Sequence, residues 1–128
     1  MPNWSPNWED VEFDHAAAQA AAAQCRLSAG ALDTAFTGVA TAVTKLATDG
    51  TWTGPYQTEF DTARTTLETS ASDTANDLRT LAGAIDAAAT AATAEQTRRE
   101  QDRDRWRTEK AAEDAARSAA RPHRNIPI

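Results

Sequence analysis

Two stretches of the chain bring back its larger side chains at alternating steps of four and three. In the first, Cys25, Ala29, Leu32, Phe36, Val39, Val43 and Leu46 fall on one line. That spacing is the seam of a left-handed helical pair. Carried back, the line passes through Ala22, Ala18, His15 and Val11, and it predicts a helix over residues 13–49. In the second, Tyr56, Phe60, Ala63, Leu67, Ala71, Thr74, Leu78, Leu81, Ile85, Ala88 and Ala92 align, with one doubled step of four at Leu67–Ala71. This predicts a second helix over 56–94. Helices of about 36 and 40 residues span roughly 54 and 60 Å, so the two arms match.

The segment between them, DGTWTGP at 49–55, is the strongest break in the chain. Gly50 is placed to end a helix in the left-handed conformation. Pro55 is placed in the first turn of the next helix, with Thr53 or Gly54 as its cap. A connection this short makes the two helices antiparallel neighbours. Gly30 and Gly38 each cost about 1 kcal/mol in a helix interior; close helix contact is the expected reason for them. The predicted fold is all-α: an antiparallel helical hairpin with a long second helix.

The flanks differ from this core. Residues 1–12, MPNWSPNWEDVE, form an irregular arm in which Ser5-Pro6 can open a short helical turn. Trp4 and Trp8 either fold onto the helices or contact a partner. The hairpin covers 13–95. Residues 96–121 form a charged helical extension, with Arg98–Asp102, Arg105–Glu109 and Glu113–Arg117 at supportive i, i+4 spacing. Trp106 interrupts its polar surface and is a further candidate partner contact. The tail 122–128 is Pro-interrupted.

Composition sharpens this picture. Hydrophobic residues are 41% of the 128, but 30 of them are Ala and only 12 are Val, Ile or Leu. A β-sandwich or a doubly wound sheet needs runs of branched and aromatic residues, whereas Ala is the best helix former. A single hairpin with so small an interior leaves apolar surface outside, and pairing into a four-helix bundle with a homodimeric or heterodimeric partner is the expected remedy.

Charge and special residues exclude more than they offer. The net charge is −6: residues 1–94 carry −8 and residues 95–124 carry +2. General nucleic-acid binding needs a basic face, so it is not expected. No 18-residue stretch is apolar enough for membrane insertion, and no leader pattern is seen, so synthesis in the cytoplasm is expected. The lone Cys25 cannot form an internal disulfide and sits on the seam as a small hydrophobe. His15 and His123 have no third ligand at helical spacing, so no metal site is expected. The carboxylate pairs lack an apolar pocket. There is no phosphate loop, no catalytic constellation and no sign of a cofactor.

Trp52-Thr53-Gly54, in the turn between two matched helices, resembles the motif of the WXG-hundred family, the ESAT-like hairpins of type VII secretion. The resemblance covers roughly residues 13–95. The glycine allows the tight turn, and the Trp52 ring is placed to cover the open end of the bundle. The resemblance implies a non-enzymatic dimeric bundle exported folded by a membrane ATPase, or the small partner of a larger type VII effector or toxin. The turn residues Trp52 and Gly54 and the seam residues Leu32, Phe36, Val39, Val43, Leu46, Phe60, Leu67, Leu78, Leu81 and Ile85 are then the functional candidates. Family substrates commonly carry Tyr-x-x-x-Asp/Glu after the second helix. Here the only tyrosine is Tyr56, with Phe60 four residues on, so that signal is missing. Two other readings stay open: a stand-alone coiled coil, and an amphipathic surface-binding helical protein.

Overall fold

The computed structural model describes residues 2–48 and 55–121. Two helices account for most of them: α1, His15–Thr48, and α2, Pro55–Ala120. They pack against each other as a hairpin. The chain forms two compact units, one of Asp14–Ala89 and one joining Met1–Phe13 to Thr90–Ile128. The arm and the extension, far apart in sequence, thus belong together.

Helix α1 begins one turn later in its seam than the periodicity implies. Asp14 is its N-cap: the carboxylate Oδ1 accepts from the Ala17 N–H at 2.9 Å, and the Asp14 carbonyl takes the first helical bond, from Ala18, at 3.0 Å. Val11 lies outside the helix and His15 is an exposed first-turn residue, so neither is a seam position. Pro55 is the first residue of α2, where its missing N–H costs nothing. The mixed-charge segment does not fold back; α2 runs on through it to Ala120. Ser5-Pro6 forms no helical turn. Gly50, Trp52 and Gly54 lie outside the described residues.

Within the hairpin unit, the covered line on α1 is Ala18, Ala22, Cys25, Ala29, Leu32, Phe36 and Val43, all buried or half-buried. On α2 it is Gln57, Asp61, Arg64, Glu68, Ala71, Ala75, Leu78, Ala82, Ile85 and Ala89, in strict alternation of four and three. Ala71, Leu78 and Ile85 match the expected seam. The positions between them are shifted by one residue, so that Ala75 and Ala82 take the places expected for Thr74 and Leu81. The fully buried apolar residues are Ala22, Ala29, Ala75 and Ala82. A methyl side chain contributes about 0.8 kcal/mol on burial, against roughly 1.5–3 for Leu or Phe, so the two helices are held by close approach over a thin core. Toward the turn the α2 line is polar, with Arg64 Nη1 donating to Glu68 Oε1 at 2.8 Å.

Two ion pairs mark one side of this seam. Arg26 of α1 donates to Asp86 of α2 at 2.5 Å, and Arg79 of α2 pairs with Asp33 of α1. The signs alternate along each helix, which fixes the antiparallel register. Gly30, Gly38 and Gly83 have open space where a Cβ would stand. Close helix contact is therefore not why Gly30 and Gly38 are there.

Candidate functional site

The side of the hairpin opposite the ion pairs is apolar. Of the expected interface residues five are exposed, Val39 and Leu46 of α1 and Phe60, Leu67 and Leu81 of α2, and so are Tyr56, Ala63, Thr74 and Ala88 of the expected α2 line. Leu67 is 59% exposed and Leu81 50%. For Phe60, Leu67 and Leu81 the reason is the register shift on α2. Once Ala75 and Ala82 take the seam, residues one position earlier stand on its flank. Phe60, Leu67, Thr74, Leu81 and Ala88 recur at every seventh residue and form a ridge along α2. By the same helical register, Ser28, Ala35 and Ala42 of α1 lie on that side. Leu32, Phe36, Val43, Leu78 and Ile85 are half-buried in the seam as expected.

On the polar surface of α2, Thr62 and Thr66 donate their hydroxyls to the carbonyls of Thr58 and Thr62, four residues back, at 3.0 Å each.

In the other unit, residues 4–11 lie along α2 without forming a helix or strand. Glu95, Asp102 and Lys110 are half-buried beside a covered α2 line of Ala92, Gln96, Arg99, Arg103 and Trp106, again four and three apart. Each of the last four holds the arm. Gln96 Oε1 accepts from the Val11 N–H at 2.8 Å, and its Nε2 donates to Asp10 Oδ1 at 3.0 Å. Arg103 donates to the carbonyls of Asn7 and Glu9 and to Asp10, at 2.9, 2.6 and 2.8 Å. Arg99 adds a second bond to the Glu9 carbonyl, 3.1 Å. The Trp106 indole N–H donates to the Trp4 carbonyl, 3.0 Å, while Trp4 donates its own to Glu109 at 2.6 Å.

The aromatic rings complete the contact. Trp8 meets Trp106 edge to face, centroids 5.4 Å apart. The Arg105 guanidinium sits 4.2 Å over Trp4, and that of Arg107 5.3 Å over Trp8. Arg98–Asp102 is present at 3.0 Å as the spacing implied. Arg105 is drawn to Trp4, and Arg117 lies 4.0 Å from Asp114.

Electrostatics follow these bonds. Hydrogen bonds from Gln96 and then Arg103 hold the Asp10 carboxyl below its usual range. Hydrogen bonds from Arg98 and Arg99 pull Glu95 down to about 2. Both keep their charge at neutral pH, so the arm carries a fixed anion toward fixed cations. Trp4, Trp8 and Trp106 thus all meet one another or the arginines of α2 within this unit. The receiving side chains Gln96, Arg99 and Arg103 escape a reading that follows apolar periodicity alone. Their signal was the same four–three spacing written in polar residues.

Among the described residues there is no cluster of three or more His, Cys, Asp or Glu placed to hold a metal ion. No helix among them is long and apolar enough to cross a membrane. No family model, curated protein or solved structure matches the chain.

Proposed function

We propose that the chain is a non-enzymatic association module: a helical hairpin that pairs through its apolar flank with a second hairpin, another copy of itself, into a four-helix bundle. The observation that carries this is the ridge of Phe60, Leu67 and Leu81, exposed over a core whose fully buried side chains are alanines. From Phe60 to Ala88 the ridge runs about 42 Å. Over the width of two helices that is roughly 800 Å² per partner, the size of a standard stable interface. Asp77 is the one charged residue set among Phe60, Leu67, Thr74, Leu81 and Ala88 and the positions three after each. Large apolar side chains on α2 and small ones on α1 complement each other when a twofold axis brings two such flanks together.

The biological setting we propose is type VII-like secretion, either as a secreted substrate or as the small partner of a larger effector or toxin. The support is the Trp52-Thr53-Gly54 segment between the two helices. Because Tyr56 is followed four residues on by Phe60, a second copy brings no tyrosine-based signal, and a further, different chain bound to the paired hairpins supplies it. The test is export of the tagged chain into the medium by its own cells. Loss of export on inactivating the secretion ATPase, and on Trp52→Ala at unchanged helix content, supports the reading. Equal amounts in the medium with and without the ATPase, or an entirely cell-retained chain in the presence of every co-encoded partner, overturns it.

A further inference from the structure

The arm is held as a ligand is held. It has no regular secondary structure, and four side chains of α2 read its main chain at four points: Trp106 at Trp4, Arg103 at Asn7 and Glu9, Arg99 at Glu9, Gln96 at Val11. Main-chain reading combined with anchor side chains is how domains bind extended peptides. One of the receiving side chains is also braced from within α2. Glu95 bonds both Arg98 and Arg99, which keeps the Arg99 side chain in place along the helix. Arg103 is only 12% exposed, although the guanidinium is among the costliest groups to cover, and its donors are met by two carbonyls and a carboxylate of the arm. Side-chain selection comes from Trp4 under Arg105, Trp8 against Trp106, and Asp10 between Gln96 and Arg103.

We propose that the Gln96–Glu109 face of α2 is a peptide-binding site in its own right. It takes an extended segment with two tryptophans four residues apart and a carboxylate two residues after the second. Residues 4–11 of the same chain fill it as a tethered ligand. This site does not depend on pairing through the hairpin flank and stands or falls separately from it.

The test uses the full-length chain carrying Trp4→Ala and Trp8→Ala, and a fluorescent synthetic peptide of residues 2–13. The variant arm no longer competes well, so the peptide binds the variant about a hundredfold tighter than it binds wild type, the gain expected from removing a tethered competitor. Adding Arg103→Ala to the variant abolishes binding. Dilution tests the tether: an arm bound within its own chain weakens peptide binding equally at every protein concentration, and a wild-type site that opens to the peptide on dilution overturns the tethered occupant.

Absence of peptide binding to a variant of unchanged helix content overturns the proposal. So does binding that Arg103→Ala leaves intact. If the tryptophan variant loses helix content, wild type carries the test. The Val11 amide, bonded to Gln96, is protected from hydrogen exchange, and millimolar peptide raises its exchange rate while a scrambled peptide does not. Equal exchange with both peptides overturns the site.

Discussion

Trp106 donates its indole N–H to the main-chain carbonyl of Trp4 at 3.0 Å, across 102 positions of sequence. The bond ties the beginning of the chain to the extension near its end. Trp106→Phe keeps an aromatic edge for Trp8 and removes the donor. The expected loss in the arm's hold is about 0.5–1.5 kcal/mol, the net worth of one hydrogen bond. Trp106→Ala also removes the ring contact, worth about 0.5–1.5 kcal/mol more. Near-ultraviolet circular dichroism against temperature reads both. The ranking wild type, Phe, Ala is expected; equal melting of all three contradicts the arm contact.

The arm loosens in acid. Glu95 titrates near 4.5 in an unfolded chain and at about 2 when held by Arg98 and Arg99. Asp10 is likewise lowered from 3.8 by Gln96 and Arg103. Because the folded values are depressed, the stabilisation is full above the unfolded values and disappears as pH falls through the folded ones. Tryptophan fluorescence is therefore flat from pH 7 to about 5 and changes below about 4. In Asp10→Asn the part of the change that belongs to the arm is reduced. A transition centred above pH 5 contradicts this origin.

Gly83 is an exposed helix residue with open space around it. Gly83→Ala raises stability by about 1 kcal/mol through helix propensity alone. Urea denaturation followed at 222 nm measures it. A destabilised variant means that another surface approaches this point.

Seam and flank separate by substitution. Leu78→Asp places a charge in the half-buried seam and lowers helix content. Leu81→Asp, three residues on, places it on the exposed flank. The expected result is unchanged helicity in a chain that no longer pairs. Far-ultraviolet dichroism together with light scattering distinguishes the two. Loss of helix in Leu81→Asp would make it a seam residue after all.

Much of this fold is legible in the chain. The hairpin, the start of α2 at Pro55 and the Leu78–Ile85 part of the seam follow from periodicity and turn chemistry. The register of the rest does not, because an alanine-rich helix carries two parallel lines with the same repeat. Following the larger side chains selects Leu81, whereas close helix approach selects Ala82. That Trp4 and Trp8 fold onto the helices is one of the two readings open from the sequence, but the face that receives them is not legible. That face is arginine and glutamine, which on a helix surface look like solvated charge until the extended segment that satisfies them is in place.

Pairing through the flank of Leu67 and Leu81 is measured on the purified chain by light scattering on a sizing column. A helical species of about twice 13.7 kDa, reduced to one chain by Leu81→Asp, is predicted. A fully helical wild-type monomer of 13.7 kDa contradicts the claim.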